Sequence, residues 1–270
     1  RRQRQMCIRD SLDTYKIRHI MCIHKTRKGY FNMRKTTDIN GLRSVAKMML
    51  HLPMTETEFD FIVSHPVFQS PYWFDNEKII NIKDSEEAFE KACAAYEQKI
   101  DKTEEPLLLM YTFRSSYYLT FLKFSRRFWS ADDFAKALSE AWVEEENPNG
   151  DVNVPVSLSE KWFKGLDKKA LMNPDEYETY LSLPNVLEVY RGVSRGRNPK
   201  GMSWTYDFNK AEWFANRFGE GYVIRGIVNK DDILAYFSRH SESEILIAAK
   251  DVHEQTIIRN GTNAKASGIC

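Results

Sequence analysis

Three short polar groupings in the last third of the chain have the residue types of a reactive site. They are Tyr190-Arg191-Gly192, Ser203-Trp204-Thr205 and Glu242-Ser243-Glu244. A guanidinium is a planar fork of donors that can hold a phosphate through two directed hydrogen bonds. Hydroxyl residues two apart on an extended segment, such as Ser203 and Thr205, point to one face. A carboxylate can stabilise positive charge that develops beside it. Singly, each grouping has an ordinary explanation: a surface arginine, a half-exposed strand, a solvated sheet edge. Their weight comes from their order, on the ends or starts of successive predicted strands.

Arg, then Ser-X-Thr, then Glu-X-Glu resembles the Arg–Ser–Glu class of ADP-ribosyltransferases. That class includes bacterial toxin-type mono-ADP-ribosyltransferases, arginine-specific ectoenzymes and phage-encoded relatives. The resemblance runs from Val189 to about Ala249 and rests on "YRG", a "GMSWT" strand followed by a helix, and "ESEILI". It says nothing specific about residues 33–150. The resemblance implies NAD+ as substrate, no metal, and an acceptor protein as partner. It assigns Arg191 to the pyrophosphate. Gly192, lacking a Cβ, is assigned to close backbone approach by the nicotinamide. Ser203 is assigned to bracing the pocket, with Thr205 beside it. Glu244 is the implied stabiliser of the oxocarbenium-like centre and ligand of the ribose 2′-hydroxyl. Glu242 is the implied orienter of the acceptor, and suits arginine, whose guanidinium stays protonated at neutral pH. Arg217 and Phe218 are implied dinucleotide contacts, with Tyr222 a further candidate.

The expected activity is therefore NAD+-dependent mono-ADP-ribosyl transfer to a protein, on arginine, with release of nicotinamide. Two alternatives stand beside it: an NAD+ glycohydrolase, and an inactive module of the same fold that binds through its helical part. A Rossmann dehydrogenase is disfavoured, because no G-x-G-x-x-G follows a predicted strand. One departure from the family stands out. Only 12 positions (203 − 191) separate Arg191 from Ser203, where many toxin relatives carry a longer, often helical, insertion. Arg195, Arg197 and Lys200 lie in this short loop, as solvated residues or as attractors of phosphate.

The elements that must position these residues are predicted from periodicity. From Thr37 to about Pro184 the pattern reads as helical. Leu42, Val45, Met49 and Leu52 share one face, and Phe89, Cys93, Tyr96 and Ile100 another. "TETEFDFIVSH" reads as a second helix with an acidic first turn. "EEPLLLMYTFRSSYYLTFLKFSRRFW" reads as a long buried helix, with two strands as the alternative. "SADDFAKALSEAWVEEE" reads as an amphipathic helix capped by Ser130 and ending in a solvated Glu144-Glu145-Glu146. "NPNGDVNVP" breaks the pattern, and short helices follow. After Pro184 the period changes to that of strands. "VLEVYRGV", "GMSWT", "GYVIRGIV", "ESEILIA" and "EQTIIR" are strand candidates. Asp207 caps a helix over "DFNKAEWFANRF", whose Trp213, Phe214 and Phe218 read as core, and Trp204 also reads as core. "KDDILAYF" reads as a short helical turn.

The fold class is α+β: a helical N-terminal region, then a small mixed β-sheet core of ADP-ribosyltransferase type. The expected divisions are a non-native or disordered extension over 1–32, a helical region over 33–156, a catalytic domain over 157–260 and a disordered tail over 261–270. "RRQRQMCIRDS" resembles a translated sequencing adapter, and the natural start is expected at Met33.

The totals fit this plan. With 39 basic and 38 acidic side chains the net charge is +1, so nucleic acid is not an expected partner. No apolar run approaches the length needed to span a bilayer, so no membrane partner and a cytoplasmic location are expected. Cys7, Cys22, Cys93 and Cys270 have no metal-ligand spacing and are expected as reduced thiols.

Overall fold

The structure is a computed structural model and describes residues 33–75, 77–239, 242–259 and 262–265. The expected extension over 1–32 lies outside the described residues, as do Cys7, Cys22 and Cys270. Two compact units divide between Ala137 and Leu138. The expected boundary at 156/157 thus moves back into a helix, because residues 138–156 pack with the sheet-bearing part of the chain.

The first unit begins with helix α1 (Ile39–Leu50), whose Asp38 cap accepts from the Gly41 amide. Its Leu42, Val45, Ala46, Met49 and Leu50 are buried. "TETEFDFIVSH" is not a helix. It forms two-residue strands β1 (Thr55–Glu56) and β2 (Val63–Ser64), paired antiparallel. The Thr57 hydroxyl accepts from the Phe59 amide and donates to the Ile62 carbonyl, a local arrangement that competes with helical bonding. A second hairpin, β3 (Tyr72–Asp75) and β4 (Lys78–Asn81), also falls in the stretch expected to be helical. Helix α2 (Glu86–Lys102) follows as expected, capped by Ser85, with Cys93 buried and free. Burial pushes the Cys93 thiol up to about 12, so it is no reactive thiolate.

The long apolar stretch is broken into pieces. These are α3 (Pro106–Met110), a 3₁₀ turn at Ser115–Tyr117, α4 (Tyr118–Ser125) and a second 3₁₀ turn at Arg126–Phe128. At the second break the Ser125 hydroxyl donates to Phe121 O and accepts from the Trp129 indole. Helix α5 (Ala131–Glu144) then runs on into the second unit.

The second unit contains α6 (Val156–Lys164), α7 (Lys168–Leu171) and α8 (Pro174–Ser182), the last opened by a reciprocal Asn173–Glu176 capping box. Its strands are β5 (Val186–Val193), β6 (Ser203–Thr205), β7 (Tyr222–Asn229), β8 (Ala235–Phe237), β9 (Glu244–Leu246), β10 (His253–Arg259) and β11 (Thr262–Lys265). They form one seven-stranded sheet in the order β11-β10-β7-β5-β6-β9-β8. Each pairing is antiparallel, so the sheet is not the mixed one expected. "KDDILAYF" is helical only at Lys230–Asp232, and its apolar end is strand β8. Residues 262–265 of the expected disordered tail are paired as β11. The rest of that tail lies outside the described residues.

The sheet falls into two well-paired blocks. β5 pairs with β7 over eight residues, whereas β5 and β6 are joined by Tyr190↔Thr205 alone. Helix α9 (Phe208–Asn216), capped by Asp207, connects β6 to β7 and packs across β5. On the β6-β9-β8 block, Trp142 of α5 meets Phe163 edge-on at 5.4 Å, and Phe163 meets Phe237 at 6.5 Å.

Candidate active site

Five of the expected site residues, Arg191, Gly192, Ser203, Thr205 and Glu244, come from three strands that are neighbours in the sheet, β5, β6 and β9; Glu242 lies just before β9, and Arg217 and Phe218 just after α9. Antiparallel register sets Thr205 opposite Glu244 and Ser203 opposite Leu246. Side chains alternate between faces, so Ser203, Thr205 and Glu244 share one face, while Trp204 pairs with Ile245 on the other and is buried. A cleft of about 210 Å³ opens where β5 and β6 part. All eight expected residues line it: Arg191, Gly192, Ser203, Thr205, Arg217, Phe218, Glu242 and Glu244. Tyr222 is not part of its lining.

Glu244 sits within a directed hydrogen-bond chain. Asn149 Nδ2 donates to Ser203 Oγ at 2.9 Å. The Ser203 hydroxyl bonds to the Glu244 carboxylate. The Trp142 indole donates to Glu244 Oε1 at 3.1 Å. The balance of forces leaves the Glu244 carboxyl above the usual carboxylate range. Desolvation is the main cause, opposed by the hydrogen bonds from Ser203 and Trp142, with like charge from Glu242 raising it and Arg191 lowering it.

Arg191 is 7% exposed. Its Nη1 donates to Ser203 O at 2.5 Å and its Nη2 to Asn198 O at 2.7 Å. Its Nε is buried and has no hydrogen-bond partner. Desolvation pushes the guanidinium down to about 10, so it remains charged at neutral pH. Its fork therefore clasps the short β5–β6 loop from inside. Gly201 makes room for it, since a Cβ there would lie 2.1 Å from Arg191 Nη2. The short connection noted in the sequence is thus held in shape by the arginine at its own base.

Two other expected residues have structural duties. A Cβ on Gly192 would lie 2.0 Å from Ala211 O and 2.6 Å from Ala215 N, so this glycine lets α9 close onto β5. The Thr205 hydroxyl accepts from the Asp207 amide and sets the turn into α9.

The rim is cationic and aromatic. Arg197 and Arg217 lie over the Phe218 ring, 5.1 and 5.0 Å from its centroid, and Arg217 is also 5.4 Å from that of Trp213. Trp213 is 54% exposed, which corrects the expectation of a core residue. Its helical spacing was real, but the buried face of α9 is made by Ala211 and Ala215.

Against known proteins the outcome is short. No protein-family model, curated protein or solved structure matches this chain.

Three cleft residues escaped the sequence reading. Trp142 read as one more apolar residue of an amphipathic helix. Asn149 lay in a turn-rich break, yet its Oδ1 accepts from the Met202 amide at 2.5 Å while its Nδ2 serves Ser203. Glu145 was expected in a solvated helix end but is buried and lines the cleft. Its neighbour Glu146 is exposed, as expected. The available signal was a polar, turn-forming segment from Asn147, a few residues after a tryptophan. Among the described residues, no group of three or more His, Cys, Asp or Glu is placed to hold a metal ion. No described helix is long and apolar enough to cross a membrane.

Proposed function

We propose that the chain is an NAD+-dependent mono-ADP-ribosyltransferase acting on a protein acceptor, with arginine as the acceptor residue. What supports this reading is one carboxylate, Glu244, oriented by Ser203 and Trp142 in a cleft it shares with a buried guanidinium and a second carboxylate, Glu242. In the proposed reaction the bond from nicotinamide nitrogen to ribose C1′ breaks. Its electron pair leaves with nicotinamide and neutralises the pyridinium. The positive charge left on the ribose faces ionised Glu244. A nitrogen of the acceptor guanidinium then bonds to C1′ and loses a proton, for which Glu242 provides the base.

The test is incubation with labelled NAD+ and a cell lysate. Glu244→Gln should abolish both nicotinamide release and label transfer, and Glu242→Gln should cut transfer more than release. Nicotinamide release by the wild type without transfer would assign the cleft to NAD+ hydrolysis. A wild-type chain that neither binds nor cleaves NAD+ would end the enzymatic reading.

A further inference from the structure

Arg191, the residue expected to hold a pyrophosphate, has both terminal nitrogens engaged by backbone carbonyls. The cleft presents cationic forks elsewhere. Arg197 lies in the β5–β6 loop and Arg217 directly after α9, and both line the cleft. Each has its Nη2 3.7 Å from the same oxygen, Glu146 Oε1. Two separate segments thus converge on one carboxylate oxygen of a third. Phe218 lies beneath both guanidiniums.

The separations carry information. Charge-assisted N–H···O bonds run at about 2.7–2.9 Å, so at 3.7 Å Glu146 supplies charge without a close hydrogen bond. Among the described residues neither guanidinium donates a side-chain hydrogen bond. The Glu146 side chain is 61% exposed, and exposed pairs of this kind hold weakly. A diphosphate carries more charge than a carboxylate and enough oxygens to meet two forks at hydrogen-bond distance.

We propose that Arg197 and Arg217 form the diphosphate-binding site of the cleft, and that Glu146 is its built-in competitor, displaced when a nucleoside diphosphate enters. The identity of the occupant as NAD+ rests on the proposed function, but the arginine pair and its carboxylate do not. The site's affinity is set by the exchange of one anion for another. Removing Glu146 should therefore strengthen binding, although it removes a contact.

Calorimetric titration of the full chain at low ionic strength tests this, with ADP, inorganic pyrophosphate and adenosine as probes. Glu146→Gln should bind ADP and pyrophosphate about three- to tenfold tighter than wild type, with the gain fading in high salt. Adenosine binding should not change. The double variant Arg197→Gln/Arg217→Gln should lose about tenfold or more in ADP affinity. Unchanged or weaker ADP binding by Glu146→Gln overturns the proposal, as does wild-type ADP affinity in the double variant. A gain for Glu146→Gln in a chain that does not cleave NAD+ sinks the transferase reading alone. NAD+ cleavage with no response of ADP affinity to Glu146 sinks this proposal alone.

Discussion

At Glu244, burial and hydrogen bonding pull in opposite directions, and burial wins. A carboxyl whose folded pKa is raised is favoured by the fold while protonated, and that stability is lost as pH rises through the raised value. At neutral pH the fold therefore holds a charge it disfavours. Under the proposed function, Glu244→Gln should abolish activity and yet raise the melting temperature, a pairing expected of residues kept for chemistry. Differential scanning calorimetry on the purified variant reads it, and a lowered melting temperature would contradict it. Trp142→Phe removes a donor that holds the carboxylate down, so the acid limb of the pH–rate profile should move to higher pH. Its size should be of the order of one hydrogen bond to a charged group, about 1.5–3 kcal/mol of differential stabilisation of the carboxylate. Ser203, Thr205 and Glu244 were legible in the sequence because they fall on strand-like runs, and Glu242 because it stands two positions before Glu244. Trp142 was not, since its contact with Glu244 spans 102 positions and nothing local distinguishes it from a core tryptophan.

Among the elements, the contact between β5 and α9 decides how well the site is held. Gly192→Ala would drive a methyl against the backbone at Ala211 and Ala215, atoms that cannot swing aside. The expected cost is about 1–3 kcal/mol, the usual range for overpacking. It should appear as a lower urea midpoint with unchanged slope. Because Arg217 and Phe218 follow α9, under the proposed function the same variant should weaken NAD+ binding more than a distant substitution of equal destabilisation. Strand β5 and helix α9 were both legible: one alternates over eight residues, and the other starts at an aspartate whose side chain accepts from two amides. The two hairpins before Glu86 were hidden for a physical reason. Their strands are two and four residues long, shorter than a helical period needs to be contradicted. Likewise β8 was masked by the acidic turn in front of it. The arginine clasp inside the short β5–β6 loop is invisible to periodicity.

Taken as a whole molecule, the chain should answer acid through its two units differently. In the first, His65 is fully buried, with Nε2 facing Leu52 O and Nδ1 accepting from the Val67 and Phe68 amides. Desolvation pushes its pKa from 6.5 down to about 4. Between these values the unfolded chain binds the proton and the fold does not, so stability falls as pH drops from 6.5 toward 4. At about 1.4 kcal/mol per unit, this group alone removes about 3 kcal/mol. Thermal melts across that range should show the loss, and the His65 ring signals in NMR should not titrate above about pH 5. Protonation of Glu244 in the second unit acts in the opposite sense. The seven-stranded sheet adds a mechanical consequence. Its two blocks share a single ladder pair, Tyr190 and Thr205, and the Arg191 guanidinium, rooted in β5, reaches across to the Ser203 carbonyl of β6. The joint is thus a hinge braced by one side chain, and its torsional stiffness rests on the Arg191 clasp. Arg191→Met should loosen that hinge, and faster amide exchange along β6 would report the loss.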